Sequence, residues 1–427
     1  HKTLRATIEW SVELLDAEER QTFTSLGVFR GSFDVEAAER VASADLDAHS
    51  ALVDKSLLRR TAEGRLFMLD TLQQYARELF AGMPDREEIE RRHAFLMSDR
   101  ARAGSKSRPI GWRRRVEAEY ADIRAALVWL DGRRESARLA ATARSLWWFW
   151  DPRDLTEGRY WLERALEQAD PASADACEIA SGLAHIAWRQ GDWPASNAWA
   201  NQAIAKADVL GDLRTAAFVY GTRATVAYFS GDRRGSVEDF ERSARLARET
   251  GDESLIATCV TNLGILAIEE RRLADAEPLI QESLEAARLA GSLELEANAI
   301  ATLADLRLAE GDFDEARALA YQALAMQREF EASDIVFTES LVRLCVLVVD
   351  RDAELSCVLL GARDAWVAQS GMAIEPFSVD QRARALERAE KQLGTKETAE
   401  MLGRGGRLSV SEAVDLALES VSPGQGV

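Results

Sequence analysis

A two-residue turn signal that recurs every 40 residues constrains the fold of this 427-residue chain more than any other feature. One series is Gly191-Asp192, Gly231-Asp232, Arg271-Arg272, Gly311-Asp312 and Arg351-Asp352; a second, half a period later, is Gly211-Asp212, Gly251-Asp252 and Gly291-Ser292. Glycine ends a helix at low cost in the left-handed conformation, and an aspartate after it can cap the next helix. Two such points in each period predict a repeat array of helix pairs, with helices of about 17 residues.

The side chains follow the same period. A small residue recurs on the first helix of each pair, at Ala184, Ala224, Gly264 and Ala304, and on the second helix, at Ala203, Ser243, Ser283 and Ala323. The position after the second row holds Ile204, Ala244, Leu284 and Leu324. Rows of small residues let stacked helices approach closely. The pattern resembles tetratricopeptide repeats, and its period exceeds their usual 34 residues, so each helix should be about one turn longer.

Four regions are predicted along the chain. Residues 1–83 do not follow the period, and their helices, with candidate strands at 56–60 and 65–69 around Gly64, indicate a winged-helix domain. Residues 84–133 form a helical linker, 134–371 the superhelical repeats and 372–427 a C-terminal helical cap. The predicted fold class is therefore mainly α, a winged helix with a small β-hairpin followed by an α-solenoid.

Composition excludes several kinds of partner and compartment. The net charge of −19 argues against a broad nucleic-acid surface. The cysteines Cys177, Cys259, Cys345 and Cys357 have no metal-ligand spacing, which favours buried, reduced thiols. No apolar run is long enough to span a bilayer, and no secretory signal is present, so we expect a cytoplasmic chain without a membrane partner.

Motifs for catalysis are missing from the sequence. It contains no GxxxxGK[ST] phosphate loop and no GxSxG elbow, and its four histidines have no metal-ligand spacing. The glycine-rich segment 403–407 is interpreted as a flexible turn rather than a phosphate nest. We therefore expect a non-enzymatic chain without catalytic, cofactor-binding or metal-binding residues.

Two candidate contact surfaces can still be named. In tetratricopeptide repeats the first helix of each pair lines the concave face, and the residues predicted to project there are His185, Trp188, Arg189, Thr225, Tyr228 and Phe229. Trp188 and Tyr228 are either binding anchors or core residues, whereas Trp147, Trp150 and Trp161 are assigned to the core. The basic run Arg113, Arg114 and Arg115 is a candidate contact patch, as a hinge or as an inter-domain contact.

Further segments add a more specific resemblance. Residues 1–11 resemble the segment that follows the nucleotide-binding module in STAND-type bacterial transcription regulators (signal-transduction ATPases with numerous domains) of the AfsR or LuxR-associated kind. Residues 26–33, 52–57 and 67–76 resemble the winged-helix region of the same family. Residues 119–127 and 157–166 are similar to the start of the family's repeat arm, and 359–362 and 411–418 to its C-terminal end. The order of these segments covers nearly the whole chain.

This resemblance implies a sensor region rather than a complete regulator. In the family, an ATPase core alternates between an ADP-bound resting state and an ATP-bound, oligomerising state, and the repeat arm binds a protein or a small inducer. Because the chain opens on His1 and lacks the phosphate loop, we expect ATP or ADP only in a missing upstream domain, and no cofactor here. The expected partners are an effector on the concave face, the upstream NTPase domain, and a second copy through self-oligomerisation.

Two other functions stay open at this point. The winged helix could bind DNA, although its presumed recognition helix at 46–55 carries two acids for one base, and phosphate repulsion opposes such binding. We therefore do not expect this chain alone to bind DNA. The chain could also be the regulatory half of a larger enzyme, with a cyclase or kinase module upstream of His1.

Overall fold

A computed structural model describes residues 2–42, 46–105, 111–330, 332, 334–370 and 376–420. It divides into two compact units, His1–Ile186 (unit 1) and Ala187–Val427 (unit 2). Helices make up nearly all of both units, which confirms the mainly-α class. None of the helices in the described ranges is long and apolar enough to cross a membrane.

Unit 1 begins with short helices and a hairpin and continues with longer helices. Its elements are α1 (Lys2–Glu13), α2 (Ala17–Ser25), a 3-10 turn (Leu26–Val28), α3 (Val35–Ala42), α4 (Leu46–Asp54), β1 (Arg59–Arg60), β2 (Leu66–Phe67), α5 (Asp70–Phe80), α6 (Arg86–Arg102), α7 (Trp112–Arg133), α8 (Ser136–Arg153) and α9 (Leu155–Gln168). Helix α10 (Ala174–Arg189) runs from unit 1 into unit 2.

The regular secondary structure described in unit 2 is entirely helical. They are α11 (Trp193–Leu210), α12 (Leu213–Phe229), α13 (Arg233–Thr250), α14 (Glu253–Glu269), α15 (Leu273–Leu289), α16 (Leu293–Glu310), α17 (Phe313–Glu329), α18 (Asp334–Val348), α19 (Ala353–Ser370), α20 (Pro376–Leu393), α21 (Thr395–Gly405) and α22 (Val410–Ser420).

The first part of unit 1 is a winged helix, as predicted. Strands β1 and β2 pair antiparallel around Gly64, which has a φ of +81°. Phe33 pairs with Leu66 on the other side of β2, through backbone hydrogen bonds of 2.8 and 2.7 Å. The strands are shorter than the predicted 56–60 and 65–69. Ser56 adopts a φ of +60°, and the N–H groups of Leu57 and Leu58 donate to the Leu52 carbonyl, so this segment ends α4 rather than starting a strand.

The segment predicted as a helical linker is well packed. Helices α6 and α7 place Ile89, Met97, Ile123 and Leu127 in the interior with almost no exposed surface. The compact unit that contains them also contains the winged helix and continues to Ile186. The boundaries at residues 83, 133 and 371 stay predictions.

The glycines of the 40-residue turn signal have the predicted conformation. Gly211, Gly231, Gly251, Gly291 and Gly311 have φ values from +63° to +93°. The side chain of the next residue then caps the following helix; for example, Asp212 accepts the Thr215 N–H at 3.0 Å. Arg271 occupies the same position without being glycine, with a φ of +61°. The paired helices α12 to α17 have 17 or 18 residues, which matches the predicted length.

The rows of small residues let the paired helices approach closely. Ser243 donates its hydroxyl to the Ala217 carbonyl, and Ser283, one period later, donates to the Ala257 carbonyl at 3.0 Å. A Cβ on Gly264 would lie 3.1 Å from the Ile280 side chain. The period therefore extends from the turns to the contacts between helices, which identifies the repeat as a packing unit.

The C-terminal helices correct one expectation. Gly403 and Gly405 lie inside α21, so the interpretation of 403–407 as a flexible turn is wrong for its first three residues. A Cβ on Gly405 would lie 1.9 Å from the Val358 carbonyl oxygen, and a Cβ on Gly361 would lie 2.1 Å from the Leu402 oxygen. These glycines are required by the close approach of two helix backbones. All four cysteines are buried, and none of them forms a disulfide.

Candidate functional site

The boundary between the two units divides the predicted groove residues. His185 belongs to unit 1, whereas Trp188, Arg189, Thr225, Tyr228 and Phe229 belong to unit 2.

His185 belongs to an aromatic cluster in unit 1. Its Nε2 atom lies 2.8 Å from the Asp151 carboxylate, and its ring lies 5.0 Å from Trp147 and 5.6 Å from Trp148. Asp151 has φ −88° and ψ 110°, which produces a kink in α8. The predicted core residues Trp147, Trp150 and Trp161 are all buried, so their assignment to the core is consistent with the structure.

The five groove residues of unit 2 form what we call the aromatic patch: Trp188, Arg189, Thr225, Tyr228 and Phe229. The Trp188 and Phe229 rings meet edge to face at 6.2 Å, and the Phe229 and Tyr228 rings meet at 5.6 Å. The Arg189 guanidinium lies 5.4 Å from the centre of the Trp188 ring. Four of the five side chains are half-buried, and Tyr228 is buried.

Tyr228 is fixed by a charged neighbour. Its hydroxyl donates to Glu269 at 2.5 Å, and the Arg233 guanidinium, which pairs with Glu269, lies 4.9 Å from the Tyr228 ring. This arrangement compensates the negative charge of Glu269 and holds the Tyr228 side chain in a fixed position within the patch. The rings of Trp188 and Phe229 are half-buried, whereas Tyr228 is buried.

A small crevice opens beside the aromatic patch. Thr225, Tyr228, Phe229, Phe240, Asn262, Ile265 and Leu266 line it. Phe240, Asn262, Ile265 and Leu266 are not among the groove residues predicted from the sequence. Asn262 lies 40 residues after Thr222 and 40 before Thr302, so a comparison of equivalent first-helix positions would have found it.

The basic run makes contacts within its own chain. Arg113 donates to the carbonyls of Trp148 at 2.8 Å and Phe149 at 3.1 Å, and Arg115 donates to the Ala103 carbonyl at 2.6 Å. Arg114 is exposed. Two of the three arginines thus stabilise helix ends inside unit 1, where unsatisfied carbonyls and the helix dipole favour cations.

Unit 1 also contains a cleft of about 810 Å³, which the sequence analysis did not identify. Four of its charged residues form two ion pairs: Arg153 with Glu117 at 3.0 Å, and Arg124 with Glu157 at 2.8 Å. Burial raises the pKa of Tyr120, which lines the same cleft. The lining combines aromatic rings with internally compensated charges.

Buried carboxylates join the winged helix to the helices that follow it. Asp122 on α7 accepts the backbone N–H groups of Arg30 at 2.7 Å and Gly31 at 3.1 Å. Arg100 on α6 bridges Asp34 and Glu119 at 2.8 and 2.6 Å. Burial lowers the pKa of Arg100, but hydrogen bonding to Asp34 and the charge of Glu119 raise it overall. These contacts position the winged helix against α6 and α7.

The presumed recognition helix α4 has an acidic surface. Asp47 and Asp54 are exposed, and His49 is buried. The ammonium group of Lys55 pairs with Glu19 at 2.6 Å. Lys55, the base at the end of this helix, is therefore already bound to a carboxylate, which opposes entry into a DNA groove.

Comparison with known proteins shows that the chain is similar in sequence to regulatory proteins of bacteria. No protein-family model matches the chain. It is 32% identical over 182 residues to a putative HTH-type transcriptional regulator of Mycobacterium tuberculosis, a match over 39% of this chain and 20% of that protein. It is 26% identical over 347 residues to the regulatory protein AfsR of Streptomyces coelicolor, which covers 77% of this chain and 33% of AfsR. The chain thus spans about a fifth and a third of these relatives.

Among solved structures, a STAND protein with a tetratricopeptide repeat sensor from Pyrococcus horikoshii has the same fold. It aligns with 96% of this chain and 65% of its own chain, with a TM-score of 0.50 and 15% sequence identity. Together with the matches to AfsR and the mycobacterial regulator, this confirms the predicted resemblance: the chain is homologous to AfsR-type and HTH-type regulators.

Proposed function

We propose that this chain is the effector-sensing region of a nucleotide-switched transcription regulator. The repeats of unit 2 bind an effector, and the winged helix of unit 1 transmits that binding to a nucleotide-binding domain upstream. The related proteins are regulators, which supports a regulatory rather than an enzymatic role. In this proposal, the ATPase activity resides in the upstream nucleotide-binding domain and not in this chain.

The observation that carries the proposal is the aromatic patch on a repeat scaffold. Trp188 and Phe229 are large, half-buried rings held edge to face, and a crevice opens beside them. Rigid aromatic side chains at a partly buried site are common anchors of binding energy. The ion pair of Arg233 with Glu269 fixes the neighbouring Tyr228, so the site is largely formed before a ligand arrives.

The transmitting contact in this proposal is Asp122 with the 30–31 backbone. A regulator needs a rigid connection between the winged helix and the helices that lead to its sensor. Asp122 and the bridge through Arg100 supply one from buried, charge-assisted hydrogen bonds. The effector in this proposal is a protein, a peptide or a small inducer.

Thermal-shift measurements would test the proposal. The chain is mixed with size-fractionated extract of the organism that carries the gene, and fractions that raise its melting temperature are confirmed by titration calorimetry. We expect at least one fraction to stabilise the wild-type chain, and Phe229→Ala to weaken the binding of its active component by at least about tenfold.

Val209→Ala is the matched control, because Val209 is an exposed apolar residue on α11 outside the patch. This variant should bind like the wild type. Equal binding by the wild type and Phe229→Ala, or stabilisation by no fraction, would overturn the proposed function.

A further inference from the structure

Two asparagines on neighbouring first helices of unit 2 have no hydrogen-bond partner for their side chains among the described residues. Asn262 lies on α14 and Asn298 on α16, and both are half-buried. An amide side chain offers two donors and an acceptor, and leaving them unpaired at a half-buried position is unfavourable unless water or a ligand binds there.

The other polar residues of the same helix faces are satisfied internally. Four threonines donate their hydroxyls to the carbonyl four residues earlier in the same helix: Thr222, Thr225, Thr258 and Thr302. Glu269 is paired with Arg233. Compared with these threonines and Glu269, the two asparagines stand out as polar groups that a ligand could satisfy.

The repeat period relates the two asparagines geometrically. The residue equivalent to Asn262 on α16 is Thr302, four residues after Asn298, so the two amides differ by about one helical turn, or ~6 Å, along the helix axis. Neighbouring packed helices lie about 8–10 Å apart. The resulting separation of ~11 Å corresponds to three or four residues of an extended chain at ~3.3 Å each.

The next part of this face is already covered by an amide of the chain itself. Asp305 continues the row of Thr225 and Ile265, and it accepts a hydrogen bond of 2.9 Å from the Gln381 amide on α20. Gln392 of the same helix donates to the Val349 carbonyl at 3.0 Å. Helix α20 thus occupies the end of the face, and the open part extends over α12, α14 and the first half of α16.

We propose that this open part binds an extended peptide through its main chain. Asn262 and Asn298 each pair with a backbone N–H and C=O, and an apolar side chain of the peptide enters the crevice formed by Phe229, Phe240 and Leu266. An amide donor and acceptor match a peptide unit in hydrogen-bonding capacity, and the apolar, charge-compensated lining favours an uncharged residue. This inference rests on the proposed function and names the chemical class of its ligand.

A random heptapeptide library displayed on phage tests the inference. It is panned against the whole chain, and the enriched peptides are synthesised and titrated by fluorescence anisotropy. We expect the enriched peptides to share an apolar residue, and both Asn262→Leu and Asn298→Leu to weaken binding by about tenfold. Asn197→Leu, an exposed asparagine on α11, is the matched control and should bind like the wild type.

Single N-methylation of the peptide amides tests the same contact on the unmodified chain. We expect one methylated position to weaken binding to the wild type by about tenfold and to have little further effect on Asn262→Leu. Absence of enriched peptides, or equal affinity for wild type and both asparagine variants, would overturn the inference. An effector that depends on Phe229 but not on Asn262 or Asn298 would refute this inference and leave the proposed function standing.

Discussion

The His93 imidazole and the Asp122 carboxylate meet inside unit 1, with Nε2 and Oδ1 2.8 Å apart and both side chains almost completely buried. The same carboxylate accepts the backbone N–H groups of Arg30 and Gly31. One side chain of α7 therefore connects α6 and the segment before the winged-helix sheet.

Replacement of this carboxylate tests its structural role. We expect Asp122→Ala to lower the free energy of unfolding of unit 1 by about 3 kcal/mol, because the buried His93 ring and two partly buried backbone N–H groups lose their hydrogen-bond partner. Urea unfolding followed by tryptophan fluorescence measures the change. Glu117→Gln, which breaks the exposed pair with Arg153, should cost about 1 kcal/mol or less, and equal effects of the two variants would contradict this account.

The close approach of α19 and α21 gives a second prediction. We expect Gly361→Ala and Gly405→Ala each to destabilise unit 2 by several kcal/mol, since their Cβ atoms would collide with the backbone carbonyls of Leu402 and Val358. Gly403→Ala is a control within the same helix: nothing lies within 4 Å of its Cβ. It should stabilise α21 by about 0.5–1 kcal/mol through helix propensity.

Thermal unfolding of the three variants measures this difference. Similar melting temperatures for Gly403→Ala and Gly405→Ala would contradict the close backbone contact.

The irregular turn at Arg271 gives a third prediction. Arg271 has a φ of +61°, where Gly231 and Gly311 occupy the equivalent turns one period away, and a side chain costs about 1 kcal/mol in this conformation. We therefore expect Arg271→Gly to stabilise unit 2 by up to about 1 kcal/mol, and Gly231→Ala, at a φ of +84°, to destabilise it by a similar amount. Chemical denaturation should show opposite shifts, and shifts of the same sign would contradict the turn assignment.

Cys259 gives a prediction about pH. Burial raises the pKa of its thiol to about 11, and the Ser243 hydroxyl lies 2.9 Å from its sulfur. Above the ordinary thiol pKa of about 9, the unfolded chain loses this proton before the folded chain does, so stability falls as pH rises from about 9 to 11. As pH rises to about 10, the free energy of unfolding of Cys259→Ala should fall by about 1 kcal/mol less than that of the wild type. Identical pH profiles of wild type and variant would contradict it.

The periodic part of this structure could be predicted well from the sequence because its signals are local. A glycine at positive φ and an aspartate cap act within a few residues, so Gly211-Asp212 and its equivalents identify each helix end. Strand β1 was predicted too early because Ser56 continues the end of α4 through hydrogen bonds to Leu52, a conformation that no sequence period indicates.

The candidate site could be predicted only in part. The aromatic residues Trp188, Tyr228 and Phe229 could be named from the sequence, and the structure brings them together with Arg189 and Thr225. The buried position of Tyr228 depends on Glu269, 41 residues away, and the role of Asp122 depends on Arg30, 92 residues away. Such long-range partners have no fixed spacing and become visible only in the folded chain.

Hydrogen–deuterium exchange of the whole chain, with and without an effector fraction that stabilises it, tests the central claim most directly. If the repeats are the sensor, backbone amides of α12 and α14, the helices that carry Phe229 and Asn262, should exchange more slowly in the bound chain. Slower exchange confined to unit 1, around α4 or the cleft at Arg153, would contradict the assignment of effector binding to the repeats.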